Sequence, residues 1–228
     1  MSDHVHDLAL LSAATDRLLA SAARLDNASL AEPSRLPGWS RGHVLAHLAR
    51  NADALLNVLS GRPMYESAQA RDGDIARDAP RPLDVQLEDV RATAERFRQA
   101  ADEPADWGRT VELRNGVTDT ASRLPFRRLI EIELHHVDLD TGYDLEDLPA
   151  EFTRRETSFL ADRFLGNEAV APTTLTADDG QQWTTGRSGG PAITVTGAAA
   201  DLLGWLAGRR DGAALTVLGG PLPVLPSL

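Results

Sequence analysis

Two stretches far apart in the chain carry the same spacing of polar residues, and together they narrow the folds open to it. Residues 37–56, PGWSRGHVLAHLARNADALL, read as a helix. Ser40 is placed to cap the orphan amides of its first turn, Ala, Leu and Asn carry it onward, and Gly61 supplies a stop. His43 and His47 stand four residues apart on that helix, so their side chains share one face about 5–6 Å apart. In RRLIEIELHHVDLD, Glu131 and His135 repeat the spacing and put a carboxylate and an imidazole on one face of another helix. Two such faces meeting inside a bundle make a His and carboxylate metal site with an open coordination position.

The rest of the composition excludes several function classes. A length of 228 residues predicts one or two domains with ample core, and 42% hydrophobic with 25% charged residues is ordinary for a soluble globular chain. No run of about 18 apolar residues is present, and MSDHVHDLAL lacks a basic region followed by an apolar core, so no membrane partner and a cytoplasmic location are expected. The balance of 23 basic against 34 acidic residues, net −11, argues against a nucleic-acid partner. A small anion remains possible, since a few local arginines can serve one. There is no cysteine, which removes disulfides, thiolate zinc sites and any internal thiol nucleophile. Thiol chemistry on this chain has to import its sulfur.

Read in order, residues 7–25 have helical spacing (Leu8, Leu11, Leu18, Leu19, Ala22) and predict a first amphipathic helix before the histidine helix. Residues 61–82 keep no period and predict a long loop with at most one short helix, a length that is often functional. Residues 83–101 return to helical spacing. Asn115-Gly116 between β-prone residues within 107–120 predicts a hairpin, and a fourth helix runs from Ser122, with Pro125 in its first turn, to Gly142. After residue 148 the pattern changes: a helix over 151–165, β-prone runs at 173–176, 182–185 and 192–196, a helix over 197–208 and a last strand over 214–218. The expected class is α plus α/β mixed, with a metal-binding four-helix bundle over 1–148 and a smaller α+β domain over 149–228.

Spacing leaves five candidates, His43, His47, Glu131, His135 and His136, for the three protein ligands of a catalytic zinc site. HxxxH and ExxxH also arise as surface pairs or as hydrogen-bonded core residues. His43 is expected to cap its helix or join the core, and His136 to face solvent.

Four segments, LPGWSRGHVLAHLARNADAL, RPMYESAQARDGDIA, EIELHHVDL and WLAGRRDG, together resemble the mycothiol-dependent maleylpyruvate isomerases, over nearly the whole chain. The first and third are shared with a wider superfamily of DinB-like four-helix metal-dependent thiol transferases; the second is narrower. The resemblance implies a DinB-like bundle followed by a sterol-carrier-like α+β domain. It implies zinc or another divalent metal on His47, Glu131 and His135, an essential arginine at Arg209, and mycothiol as the external thiol. Arg210 is left the structural role of a cation at a helix end. Where that family often has an arginine just before the ligand glutamate, this chain has Ile130. The implied reaction is cis-trans isomerisation of maleylpyruvate, a small dicarboxylate, to fumarylpyruvate: a thiolate held at the metal adds, the former double bond rotates in the enolate, and elimination follows. Arg209 would hold a carboxylate or the enolate oxygen. A monomer is expected. Two other readings differ in class: a mycothiol S-transferase acting on electrophiles, and a non-enzymatic metal-binding regulatory protein.

Overall fold

In the computed structural model, which describes residues 4–102 and 106–226, the chain divides into two units, Met1–Tyr143 and Asp144–Leu228. The first holds six helices and a ribbon among its described residues: α1 (His4–Ala22), α2 (Asn27–Ala31), α3 (Arg41–Leu59), α4 (Ala68–Asp78), α5 (Leu83–Asp102), β1 (Thr110–Glu112), β2 (Thr118–Thr120) and α6 (Leu124–Asp138). The four long helices make the bundle, with α3 against both α5 and α6 and α1 against the same two. Leu18, Val44, Leu45, Leu48, Val90, Phe97, Leu124, Leu129 and Ile132 fill its core. Each buried leucine contributes ~1.5–3 kcal/mol, enough to offset the polar groups that α3 carries inward beside them.

Local sequence explains the ends of α3. The Ser40 side chain accepts from the His43 amide, and the His43 ring accepts from the Ser40 amide, a capping box with histidine in place of the usual glutamate. At the other end the Gly61 amide reaches the Val58 carbonyl and the Arg62 amide reaches the Asn57 carbonyl, the paired bonds of a Schellman stop. Pro125 sits in the first turn of α6, where its missing N–H costs nothing. The β1–β2 ribbon is antiparallel with Thr110 opposite Thr120, and its turn has Asn115 and Gly116 at φ 61° and 72°.

Three features depart from the sequence reading. The region expected as a loop with one short helix contains the 11-residue α4, capped by Ser67. A short α2, capped by Asp26, precedes the histidine helix. His136, expected at the surface, is buried, because α6 is wrapped by α1 on one side and α3 on the other and only a narrow strip of it meets water.

The second unit places α7 (Ala150–Phe164) and α8 (Ala199–Leu206) on a sheet of β3 (Thr173–Ala177), β4 (Gln182–Thr185), β5 (Ile193–Gly197) and β6 (Thr216–Leu218), in the order β4-β3-β5-β6. β3 pairs parallel with β5, and the outer pairings are antiparallel. Leu175, Val195 and Ile193 alternate inward toward Leu202, Leu203 and Trp205. This is the mixed α+β class expected. Among the described residues no helix is long and apolar enough to cross a membrane.

Candidate metal centre

His47 lies one turn beyond the capping box of α3 and points into the bundle, 5% exposed, where α6 faces it. Its Nε2 is 2.9 Å from Glu131 Oε2, and the same oxygen is 3.2 Å from His135 Nε2. The two imidazoles meet edge to face with centroids 4.8 Å apart. Among the described residues these three form a group whose candidate ligand atoms all lie within 4.8 Å of one another. Ligands sharing one zinc at about 2.0–2.2 Å stand roughly 3–3.6 Å apart, so two imidazole nitrogens and one carboxylate oxygen here fit a single divalent ion. The Glu131 side chain stays 32% exposed, so the group is reached from solvent.

The surroundings tune each group. Burial lowers the His47 pKa to about 4 against the opposing pull of Glu131, so its imidazole is neutral near pH 7, as a ligand must be. For Glu131, burial acts to raise the pKa, but hydrogen bonds from His135 and His47 outweigh it and hold the carboxyl well below its ordinary range. Burial pulls His135 down, yet the bonds to Asp138 and Glu131 prevail and raise it. Asp138, fully buried on the last turn of α6, accepts from His135 Nδ1 at 2.8 Å. That fixes the ring with Nε2 facing Glu131, the carboxylate–histidine support common at metal centres.

On the other side of His47, Arg71 of α4 places Nη2 3.3 Å from Nδ1. A guanidinium can only donate, so Nδ1 is the acceptor and Nε2 carries the proton toward Glu131. Metal on Nε2 requires the opposite tautomer, and Arg71 must then turn away. The Arg71 guanidinium also lies 5.9 Å over the Tyr65 ring. Burial raises the Tyr65 hydroxyl's pKa, the nearby Glu131 adds to the rise, and Arg71 and Arg114 oppose it. Arg128, one turn before Glu131, is 1% exposed and donates to Asn51 Oδ1 at 2.8 Å. Burial draws its pKa down to about 10, opposed by Glu131 and Tyr65.

The remaining candidates lie elsewhere. His43 is taken up by the capping box and stacks on Trp39, whose indole also meets the His47 ring edge at 5.5 Å. His136 stacks on Tyr143 at 3.8 Å, away from the triad's face of α6. In the second unit Arg209 follows α8 and donates to the Ala207 carbonyl. Arg210 Nη2 donates to both carboxylate oxygens of Glu146, and its Nη1 donates to Asp201. Arg71, Asp138 and Tyr65 were missed from sequence. Asp138 alone had a local signal, since it stands at i+3 from His135.

Residues 11–140 match the Mycothiol maleylpyruvate isomerase N-terminal domain, and residues 147–227 match the MDMPI C-terminal domain. The chain belongs to the mycothiol maleylpyruvate isomerase family. His47, Glu131 and His135 all fall in the matched N-terminal domain, and Arg209 in the C-terminal one. Among solved structures, the crystal structure of the mycothiol-dependent maleylpyruvate isomerase superposes with a TM-score of 0.89 at 26% identity, covering 99% of this chain and 97% of that one. A histidine-to-alanine mutant of it gives the same values. A search of curated proteins gives no match. The likeness to the isomerase family extends over both units, so the α+β unit is as much part of the family's fold as the bundle.

Proposed function

We propose that this protein catalyses the mycothiol-dependent isomerisation of maleylpyruvate to fumarylpyruvate, with zinc held by His47, Glu131 and His135. The observation that carries the reading is the convergence of two imidazoles and one carboxylate in a chain of this family that has no cysteine of its own. Rotation about the substrate's cis double bond requires its temporary loss, and reversible addition of an external thiol provides that. A divalent ion in the triad supplies the Lewis acidity that keeps the thiol's sulfur deprotonated near neutral pH.

The protein's own residues set the conditions for that chemistry. The His47 imidazole is neutral, Asp138 holds the His135 ring in the tautomer that presents Nε2, and Glu131 brings one negative charge, so a site loaded with a divalent ion would keep a net positive charge that favours an anionic sulfur. Arg209 is assigned to a substrate carboxylate or the developing enolate oxygen, where a planar pair of donors serves better than a point charge. Losing such a donor costs about 10²–10³ in rate. Arg209→Lys is expected to lower kcat/KM by about that factor with metal content intact, while Arg210→Lys leaves turnover near wild type. The reverse order would move the role by one residue. A cytoplasmic setting and a monomeric state complete the reading.

Turnover of maleylpyruvate with and without mycothiol tests the whole. Activity only with the thiol supports it. Full activity in thiol-free buffer overturns it, and conjugate release without isomerisation favours the S-transferase.

A further inference from the structure

The bundle unit contains a cavity of about 550 Å³, walled by residues 61–65, 67 and 68 after α3 and by the β1–β2 hairpin. Tyr65 belongs to that wall, and its ring lies under the Arg71 guanidinium that reaches His47, so the cavity is linked to the metal centre through two side chains, Tyr65 and Arg71. The charge of its lining is opposite to that of the protein. Arg62, Arg109 and Arg114 line it against a single acid, Glu112, in a chain of net charge −11.

Many arginines of the bundle are tied to carboxylates: Arg17 to Glu133, Arg50 and Arg81 to Asp89, Arg96 to Asp53, Arg127 to Asp119; the buried Arg128 donates to Asn51 and Arg24 to Ser21. Arg109 is occupied too, for it donates to the Leu59 and Val58 carbonyls and finishes the end of α3. Arg62 and Arg114 form no ion pair among the described residues. Two guanidiniums left without a carboxylate, on opposite walls of one cavity linked to the metal centre, fit a carboxylate ligand, which two such forks can hold with paired charge-assisted bonds.

We infer that this cavity is the subsite for the substrate carboxylate farther from the reacting double bond, with Arg62 and Arg114 as the groups that hold it. The inference rests on the isomerase reading and deepens it: a dianionic substrate in a chain of net charge −11 needs fixed cations where it binds, and this pair supplies two of them. The residues act on binding and orientation, so their loss is felt in KM for the dicarboxylate more than in kcat.

The test uses full-length zinc-loaded protein and the Arg62→Gln/Arg114→Gln double variant, with Arg91→Gln/Arg98→Gln as a control that removes the same charge from the exposed side of α5. Calorimetric titration with maleate, a non-substrate dicarboxylate, should show affinity at least about tenfold weaker in the cavity variant and unchanged in the control. In turnover, KM for maleylpyruvate should rise by a similar factor while KM for mycothiol stays put. Equal maleate affinity in cavity variant and wild type overturns the inference. So does a rise in KM for the thiol alone, which would give the cavity to the thiol's sugar portion. If wild-type protein fails to isomerise maleylpyruvate yet binds maleate through these arginines, the isomerase reading falls and the subsite stands.

Discussion

At the scale of single residues, the metal centre depends on which nitrogen of each histidine carries a proton, and the two histidines are managed from opposite sides. Asp138 holds His135 in the ligating tautomer, whereas Arg71 holds His47 in the other one. Asp138→Asn should therefore weaken metal binding by about ten- to a hundredfold, and His47→Ala should remove most of the metal found by elemental analysis of purified protein. Unchanged metal in the His47 variant would move the site elsewhere on α3. Arg71→Gln should act the other way, because it removes a cation beside a dication and frees Nδ1 to take the proton; competition with a chelator should give roughly tenfold tighter binding. Weaker binding there would mean that Arg71 supports the loaded site. The i, i+4 spacing made His47, Glu131 and His135 candidates in the sequence together with His43 and His136, and the family resemblance singled out the three. Arg71 was not legible there, since it reaches His47 from a different helix across 24 positions of sequence, and no periodicity encodes that meeting.

Among the elements, α4 shows what the hydrophobic pattern could not reveal. It has only Ile75 as a buried apolar residue, so its sequence carries no stripe to read. What holds it is polar: Asp78 at its end takes Arg77 and lies within ion-pair reach of Arg50 and Arg81, and the buried Gln86 amide donates to the Ala79 and Arg81 carbonyls just beyond it. The four long helices and the Asn-Gly hairpin, by contrast, follow from apolar spacing and turn chemistry, and the structure places them within a few residues of expectation. The seam between α3 and α4 also explains Gly42. A Cβ at that position would run into the Ala79 carbonyl oxygen, which is backbone and cannot swing aside. Gly42→Ala should cost about 1–3 kcal/mol in denaturant unfolding, with loss of activity tracking the displacement of α4 and its Arg71. A neutral or stabilising result would show that the two helices can separate there without penalty.

For the whole molecule, the comparison that matters is between a chain that folds around an ion and one that does not need it. The three ligand groups contact one another directly, because one oxygen of Glu131 faces both imidazoles, and the core around them is built from leucines, valines and Phe97. Chelation should thus leave the helical circular dichroism intact while lowering Tm only by the mass-action contribution of the lost ion, and added zinc should restore activity in full. Unfolding on chelation would place this protein with the zinc-finger type, where binding and folding are one event. The bridging position of Glu131 has a further consequence for the protein's life in a cell. If chelation leaves the fold intact, the empty chain presents no exposed core to the quality-control machinery, and scarcity of metal would idle the protein instead of destroying it. Supply could then rise and fall while the stock of polypeptide stayed constant, and recovery would need only an ion, with no new synthesis.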